Sequence, residues 1–139
     1  MINFHYETDF NALNQEDYSN WINAILESED FNLSTLDYIF CDDSYLLKIN
    51  QDYLDHNTYT DIITFDYTVG KIIGGDVFIS VERVKENASK FNVQFQNELH
   101  RVMAHGILHL MGYKDKTKEE SLVMRNKEEE KIKMFHVEQ

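Results

Sequence analysis

Apolar and polar residues alternate from Ile2 through Phe4 to Tyr6, the period-two signature of a half-buried strand. From about residue 14 to 28 the period changes. Tyr18, Trp21, Ile22, Ile25 and Leu26 recur at helical spacing and define an amphipathic helix. Leu36 to Cys41 predicts a second strand. Asp42 or Asp43 suits the N-cap of a helix running to about residue 54, with Leu46, Leu47, Ile49 and Tyr53 along it. Asp61 to Tyr67 and Asp76 to Ser80 predict third and fourth strands. Gly70 and Gly74-Gly75 between them suggest a turn or hairpin. A helix then opens near Ser80 and runs to about Phe91, another spans about 95 to 111, and a charged helix from about 117 to 134 follows.

Strand and helix alternate at the start, which implies parallel pairing, while the late hairpin implies an antiparallel strand. The expected architecture is therefore α+β: a mixed four-stranded sheet carrying about five helices. At 139 residues, with 42% hydrophobic and 13% aromatic side chains, the chain suits one domain over 1–139 with a single core. No segment approaches the length of apolar sequence that spans a bilayer, and the N-terminus has no basic stretch leading into an apolar run. Together with a lone cysteine, Cys41, this points to a cytoplasmic protein without membrane contact. In a strand, Cys41 fits a small core position.

The chemistry concentrates in one segment, His105-Gly-Ile-Leu-His109-Leu-Met-Gly112-Tyr-Lys-Asp115. Histidines four apart on a helix differ by about 40° around its axis, so both rings project from one face and can grip one ion. Gly112 suits the left-handed turn that ends a helix, and the reversed chain can return Asp115 as a third ligand. Three protein ligands leave one position open, as catalytic zinc sites do. Gly106, inside the helix beside the first histidine, implies close backbone packing or ligand approach. His100 lies about 140° from His105 around the same helix and is excluded as a ligand. His5 and His136 carry no supporting pattern. The helix geometry is zincin-like, but Gly106 stands where the His-Glu-x-x-His pattern of zinc proteases needs its glutamate base.

The run from His105 to Asp115 resembles the signature of the YbeY family of bacterial rRNA-maturation endoribonucleases, His-Gly-x-Leu-His-x-x-Gly-Tyr-x-His. Leu47-Lys-Ile-Asn50, Thr60-Asp61-Ile62-Ile63-Thr64-Phe65 and Gly75-Asp76-Val77-Phe78-Ile79 resemble further blocks of that family in the same order, so the likeness covers about residues 1 to 135. The resemblance implies a zinc-dependent, single-strand-specific endoribonuclease acting in 16S rRNA 3′-end maturation and ribosome quality control. It implies single-stranded rRNA and the ribosome, or a small-subunit ribosomal protein, as partners. His105, His109 and Asp115 would hold one Zn²⁺ per chain. The family has histidine where this chain has Asp115; carboxylate is an accepted zinc ligand and suits harder divalent ions as well. It also carries an arginine where this chain has Leu54, and leucine offers no bidentate fork to phosphate.

The general base is not assigned by the sequence. His56, two residues past Leu54, is one candidate for a phosphate or proton contact. Asp61 is another, either as a strand-start cap or as a carboxylate holding a metal-bound histidine in its tautomer. Lys114, Lys116 and Lys118 cluster after the metal helix and can meet phosphates. Tyr113 either packs under the loop or presents its ring to a base. Phe65, Phe78, Leu99, Met103, Leu108 and Met111 recur at strand or helix periods and are expected in the core.

A net charge of −12 opposes RNA binding, so modest affinity for naked RNA is expected. The charge is uneven. Residues 1–100 hold 5 basic and 18 acidic side chains, whereas residues 101–139 hold 8 and 7. A basic ribosomal protein would complement the acidic part. Two other functions fit the same residues: an assembly factor whose metal is structural, and a metal-dependent hydrolase of another bond, peptide included. Oligomeric state leaves no trace in the sequence.

Overall fold

A computed structural model describes residues 1–11 and 13–135; Ala12 and residues 136–139, with His136 among them, lie outside the described residues. Nine elements follow in order: β1 (Ile2–Tyr6), α1 (Gln15–Ser28), β2 (Asn32–Cys41), α2 (Asp43–Leu54), β3 (Ile62–Asp66), β4 (Ile72–Ser80), α3 (Val81–Lys90), α4 (Phe95–Leu110) and α5 (Lys118–Ile132). The sheet order is β1-β2-β4-β3. β1 and β4 lie parallel to β2, and β3 closes one edge antiparallel to β4. This is the mixed α+β sheet that the alternation of strand and helix predicts.

Helix starts follow local chemistry. Asn14, Asp42, Ser80 and Thr117 each accept a hydrogen bond from a first-turn amide, satisfying a donor the helix leaves free. At Thr117 the bond is reciprocated by Glu120, forming a capping box.

β4 departs from the sequence reading. The expected turn at Gly74-Gly75 is strand; the chain reverses at Gly70 (φ +58°), where Val69 and Ile72 form a bridge. Gly75 is glycine because a Cβ there would sit 2.7 Å from the Phe65 carbonyl oxygen and 3.1 Å from Leu110. β2 likewise starts at Asn32, ahead of the apolar run, because its first residues pair with the added length of β4 across an irregularity between Leu33 and Leu36.

α1, α3 and α4 pack on one side of the sheet, with Trp21, Ile25, Tyr38, Phe40, Val77, Leu99, Met103 and Ile107 in the main core, and α5 packs against α4. α2 covers the other side over Cys41, Leu46 and Ile63. Cys41 is fully buried, and burial pushes its thiol up to about 12, as suits a core residue. Leu99, Met103 and Leu108 are buried as expected; Phe65, Phe78 and Met111 are half-buried. Gly106 is explained by packing. A Cβ there would press at 3.0 Å on both Ile62 and Val77, so glycine lets α4 lie tight on the sheet with its histidines at the edge.

Candidate metal centre

α4 ends as its sequence predicts. Gly112 adopts φ +103°, its amide bonds the His109 carbonyl at 3.0 Å, and the Tyr113 amide bonds that of Leu108 at 3.0 Å, a Schellman closure. The reversal returns the chain to the two rings. Nε2 of His105 and Nε2 of His109 are 2.9 Å apart, and Oδ2 of Asp115 is 3.3 Å from each.

The other ring nitrogens fix what these atoms are. His109 Nδ1 faces the Tyr113 carbonyl at 3.0 Å, and His105 Nδ1 faces Oε2 of Glu128 at 2.6 Å. A carbonyl and a carboxylate can only accept, so both Nδ1 atoms donate, and in the neutral rings that bind metals both Nε2 atoms then present lone pairs. Two lone pairs and a carboxylate oxygen converge with no donor among them. Such a cluster is repulsive until a cation enters it. The spacing suits one, because atoms bound to tetrahedral zinc at about 2.0–2.1 Å lie about 3.3 Å apart. The donor set therefore fits a divalent metal, which the chain's two nitrogens and one oxygen would hold.

Glu128 is the residue the sequence reading missed, and it takes the role offered there to Asp61. It lies on α5 with 3% of its side chain exposed and anchors a buried chain of charge. Arg101 clamps Glu98 through Nε at 2.9 Å and Nη2 at 2.8 Å, and reaches Glu128 Oε1 through Nη1 at 3.4 Å. Glu128 in turn orients His105, as outer carboxylates do at metal sites. Asp61 instead faces Arg101 at 3.7 Å, and its backbone carbonyl accepts from the Ser80 amide. Burial raises its carboxyl pKa, although the charge of Arg101 opposes the shift.

The three converging residues open onto a cleft of about 450 Å³ whose other walls include Asn50, Leu54, His56, Thr60, Asp61 and Thr64. Asn50 shapes the far wall. Its side chain donates to the Thr58 carbonyl at 2.8 Å and its carbonyl accepts from the His56 amide at 3.1 Å, pinning the loop that carries His56. His56 and Leu54 thus stand in the cleft, whereas Lys114, Lys116 and Lys118 are exposed and do not line it. His100 is buried away from it, its Nε2 sharing a hydrogen bond with the Tyr18 hydroxyl at 2.8 Å, and burial holds its pKa down to about 4. His5 pairs with Asp37 at the surface.

Tyr113 packs under the loop. Its hydroxyl donates to Oε1 of Glu29 at 2.6 Å, while Lys127 and Lys131 donate to Oε2 at 3.0 and 2.8 Å. Burial raises the Glu29 pKa, but the bonds from Lys131, Tyr113 and Lys127 outweigh it and hold the carboxyl down to about 2. A depressed carboxylate stabilises the fold above its unfolded pKa, near 4.5, and loses that contribution as pH falls toward 2. Melting temperatures measured from pH 7 to pH 2.5 are therefore expected to show Glu29→Gln well below the parent at pH 7, the gap narrowing below pH 4.5.

Fold and site define an α+β chain with a His-His-Asp cluster able to hold a metal ion beside an open cleft. Residues 3–136 match the family model described as Endoribonuclease YbeY. The chain is 59% identical to the endoribonuclease YbeY of Flavobacterium johnsoniae over the whole of both chains. It is 42% identical to that of Porphyromonas gingivalis, covering 96% of this chain and 89% of the relative. The solution structure of TM1509 from Thermotoga maritima superposes with a TM-score of 0.73 at 25% identity, covering 97% and 89% of the two chains. The chain belongs to the endoribonuclease YbeY family. Among the described residues no helix is long and apolar enough to cross a membrane.

Proposed function

We propose that this chain acts as one domain over residues 1–139 and hydrolyses phosphodiesters in single-stranded RNA, using one zinc ion held by His105, His109 and Asp115. The convergence of three lone-pair atoms on a cleft carries this reading, and the relatives' shared name of endoribonuclease supports it. When bound, the ion supplies Lewis acidity toward a phosphate oxygen and toward water.

The chain's own residues do the rest. Glu128 holds His105 so that Nε2 stays a lone-pair donor, and the Tyr113 carbonyl does the same for His109. His56 and Asp61 line the cleft, and in this reading they take the proton released as water adds to phosphorus and return one to the leaving oxygen. Lys114, Lys116 and Lys118 offset phosphate charge beyond the cleft. The family resemblance directs the activity to the 16S rRNA 3′ end in the cytoplasm, with the ribosome or a basic small-subunit protein as partner. Metal-loaded protein is expected to cut a single-stranded RNA spanning that end and to spare the same sequence in duplex. Equal cutting of both forms, or hydrolysis of a peptide panel without RNA cleavage, contradicts the proposal.

A further inference from the structure

Two further cavities continue the cleft along the seam between α4 and α5. The first, of about 150 Å³, shares His105 and Asp115 with the cleft and adds Arg101, Ser121 and Arg125. The second, of about 520 Å³, shares Arg101, Arg125 and Glu128 with the first and ends on Phe91, Val93 and Ile132. From His105 to Asn97 the seam follows α4 for about 12 Å.

Arg125 is the available cation of this seam. Of the three arginines, Arg83 pairs with Asp43 and Glu86, and Arg101 with Glu98, Glu128 and Asp61. Arg125 is exposed and makes no ion pair among the described residues. On the walls, Glu98 and Glu128 are engaged by Arg101 and His105, and Glu129 is exposed to water. Phe91, 56% exposed, and Val93, 45% exposed, give the far end an apolar surface.

The seam is built from the less acidic part of the sequence. Residues 1–80 hold 2 basic and 15 acidic side chains, a balance of −13, while residues 81–135 hold 11 and 9, a balance of +2. The aromatic groove of Tyr45, Tyr53, Phe65 and Tyr67 lies in the acidic part. Both lysines of that part are engaged, Lys48 with Asp52 and Lys71 with the Glu29 carbonyl and the Phe31 ring. The seam differs in offering guanidinium groups, Arg101 and Arg125, beside its carboxylates Glu98, Glu128 and Glu129, whereas the aromatic groove is lined by Asp76 and no cation.

We propose that single-stranded RNA leaves the metal centre along the α4–α5 seam, with Arg125 binding a phosphate next to the scissile one and Phe91 stacking a base beyond it. The proposal rests on the endoribonuclease reading and gives that site a direction for its substrate. A guanidinium suits the role because its planar fork meets phosphate oxygens in pairs, and an exposed phenyl ring stacks bases of any identity.

The test is binding of a dye-labelled single-stranded RNA of about twelve nucleotides. Chelator-treated protein is used, so that binding is read without cleavage, across a series of salt concentrations. Arg125→Gln is expected to weaken binding about fivefold or more at low salt and to flatten the salt dependence by about 0.7, one phosphate contact on a single strand. Phe91→Ala is expected to weaken binding about fivefold or more with the salt dependence kept. Lys48→Gln removes the same charge from the acidic part, and circular dichroism checks the fold of every variant. Parent-like binding by both Arg125→Gln and Phe91→Ala overturns the seam and leaves the endoribonuclease reading intact. A loss in Lys48→Gln equal to that in Arg125→Gln also overturns it, because net charge then explains the effect. No binding by the chelator-treated parent at any salt overturns the seam, while the endoribonuclease reading stands or falls on cleavage by metal-loaded protein.

Discussion

Asp115→Ala is expected to lower RNA cleavage about a thousandfold or more while leaving the fold intact, because it removes one of the three atoms proposed to hold the metal and little else. Metal stabilisation of transition-state charge is worth several kcal/mol, and about 4 kcal/mol corresponds to that loss in rate. The fold survives because the side chain is 40% exposed and the loop is held independently. Ser121 donates to the Asp115 carbonyl at 2.9 Å, and Tyr113 is tied to Glu29. Asp115→His separates the ligand role from any other, since it puts at this position the histidine of the signature that His105 to Asp115 resembles. It is expected to retain cleavage within about tenfold of the parent, imidazole being an equivalent zinc ligand. Rates of RNA cleavage for the three proteins, with melting curves beside them, decide the matter.

Glu128 carries the second large effect. Glu128→Gln keeps the shape and an oxygen for His105 Nδ1 but removes the charge facing Arg101. Metal affinity, measured by competition with a chromophoric chelator, is expected to fall about 10- to 100-fold. Glu128→Ala goes further. It leaves His105 free to rotate and takes one partner from a buried guanidinium, a loss typically near 3–5 kcal/mol, so the variant is expected to melt well below the parent. Discounting for the 22% exposure of Arg101 and its remaining clamp on Glu98 places the loss nearer the lower figure. An unchanged metal affinity in Glu128→Gln contradicts the assigned role.

The sequence carried α4 and its loop almost completely. The histidine spacing, the helix-ending Gly112 and the returning Asp115 are local features, and local chemistry decides helix faces and caps. Glu128 was hidden for the opposite reason. It lies 23 residues beyond His105, on a helix whose buried positions Met124, Glu128 and Lys131 follow helical spacing but include two charged residues. A hydropathy pattern cannot mark such a stripe. The carboxylate that orients His105 is a tertiary partner, so the sequence offers Asp61, in the recognised blocks, as one candidate for that role and gives no sign of Glu128.

The hairpin before β4 was legible at Gly70, but the start of β4 was not. Gly74 and Gly75 carry the composition of a turn, yet Gly75 serves the approach of Phe65 and Leu110, which only the paired sheet reveals. The acidic balance was legible as a number, and its confinement to residues 1–80 gained meaning only when the seam was seen to lie on the other part.

The most direct test of the metal-centred account is RNA cleavage by chelator-stripped protein as Zn²⁺ is added back in substoichiometric steps. The account expects negligible cleavage by the stripped but folded protein, with activity rising to a plateau at one ion per chain. Full cleavage by the stripped protein, or a plateau that needs several ions per chain, contradicts it.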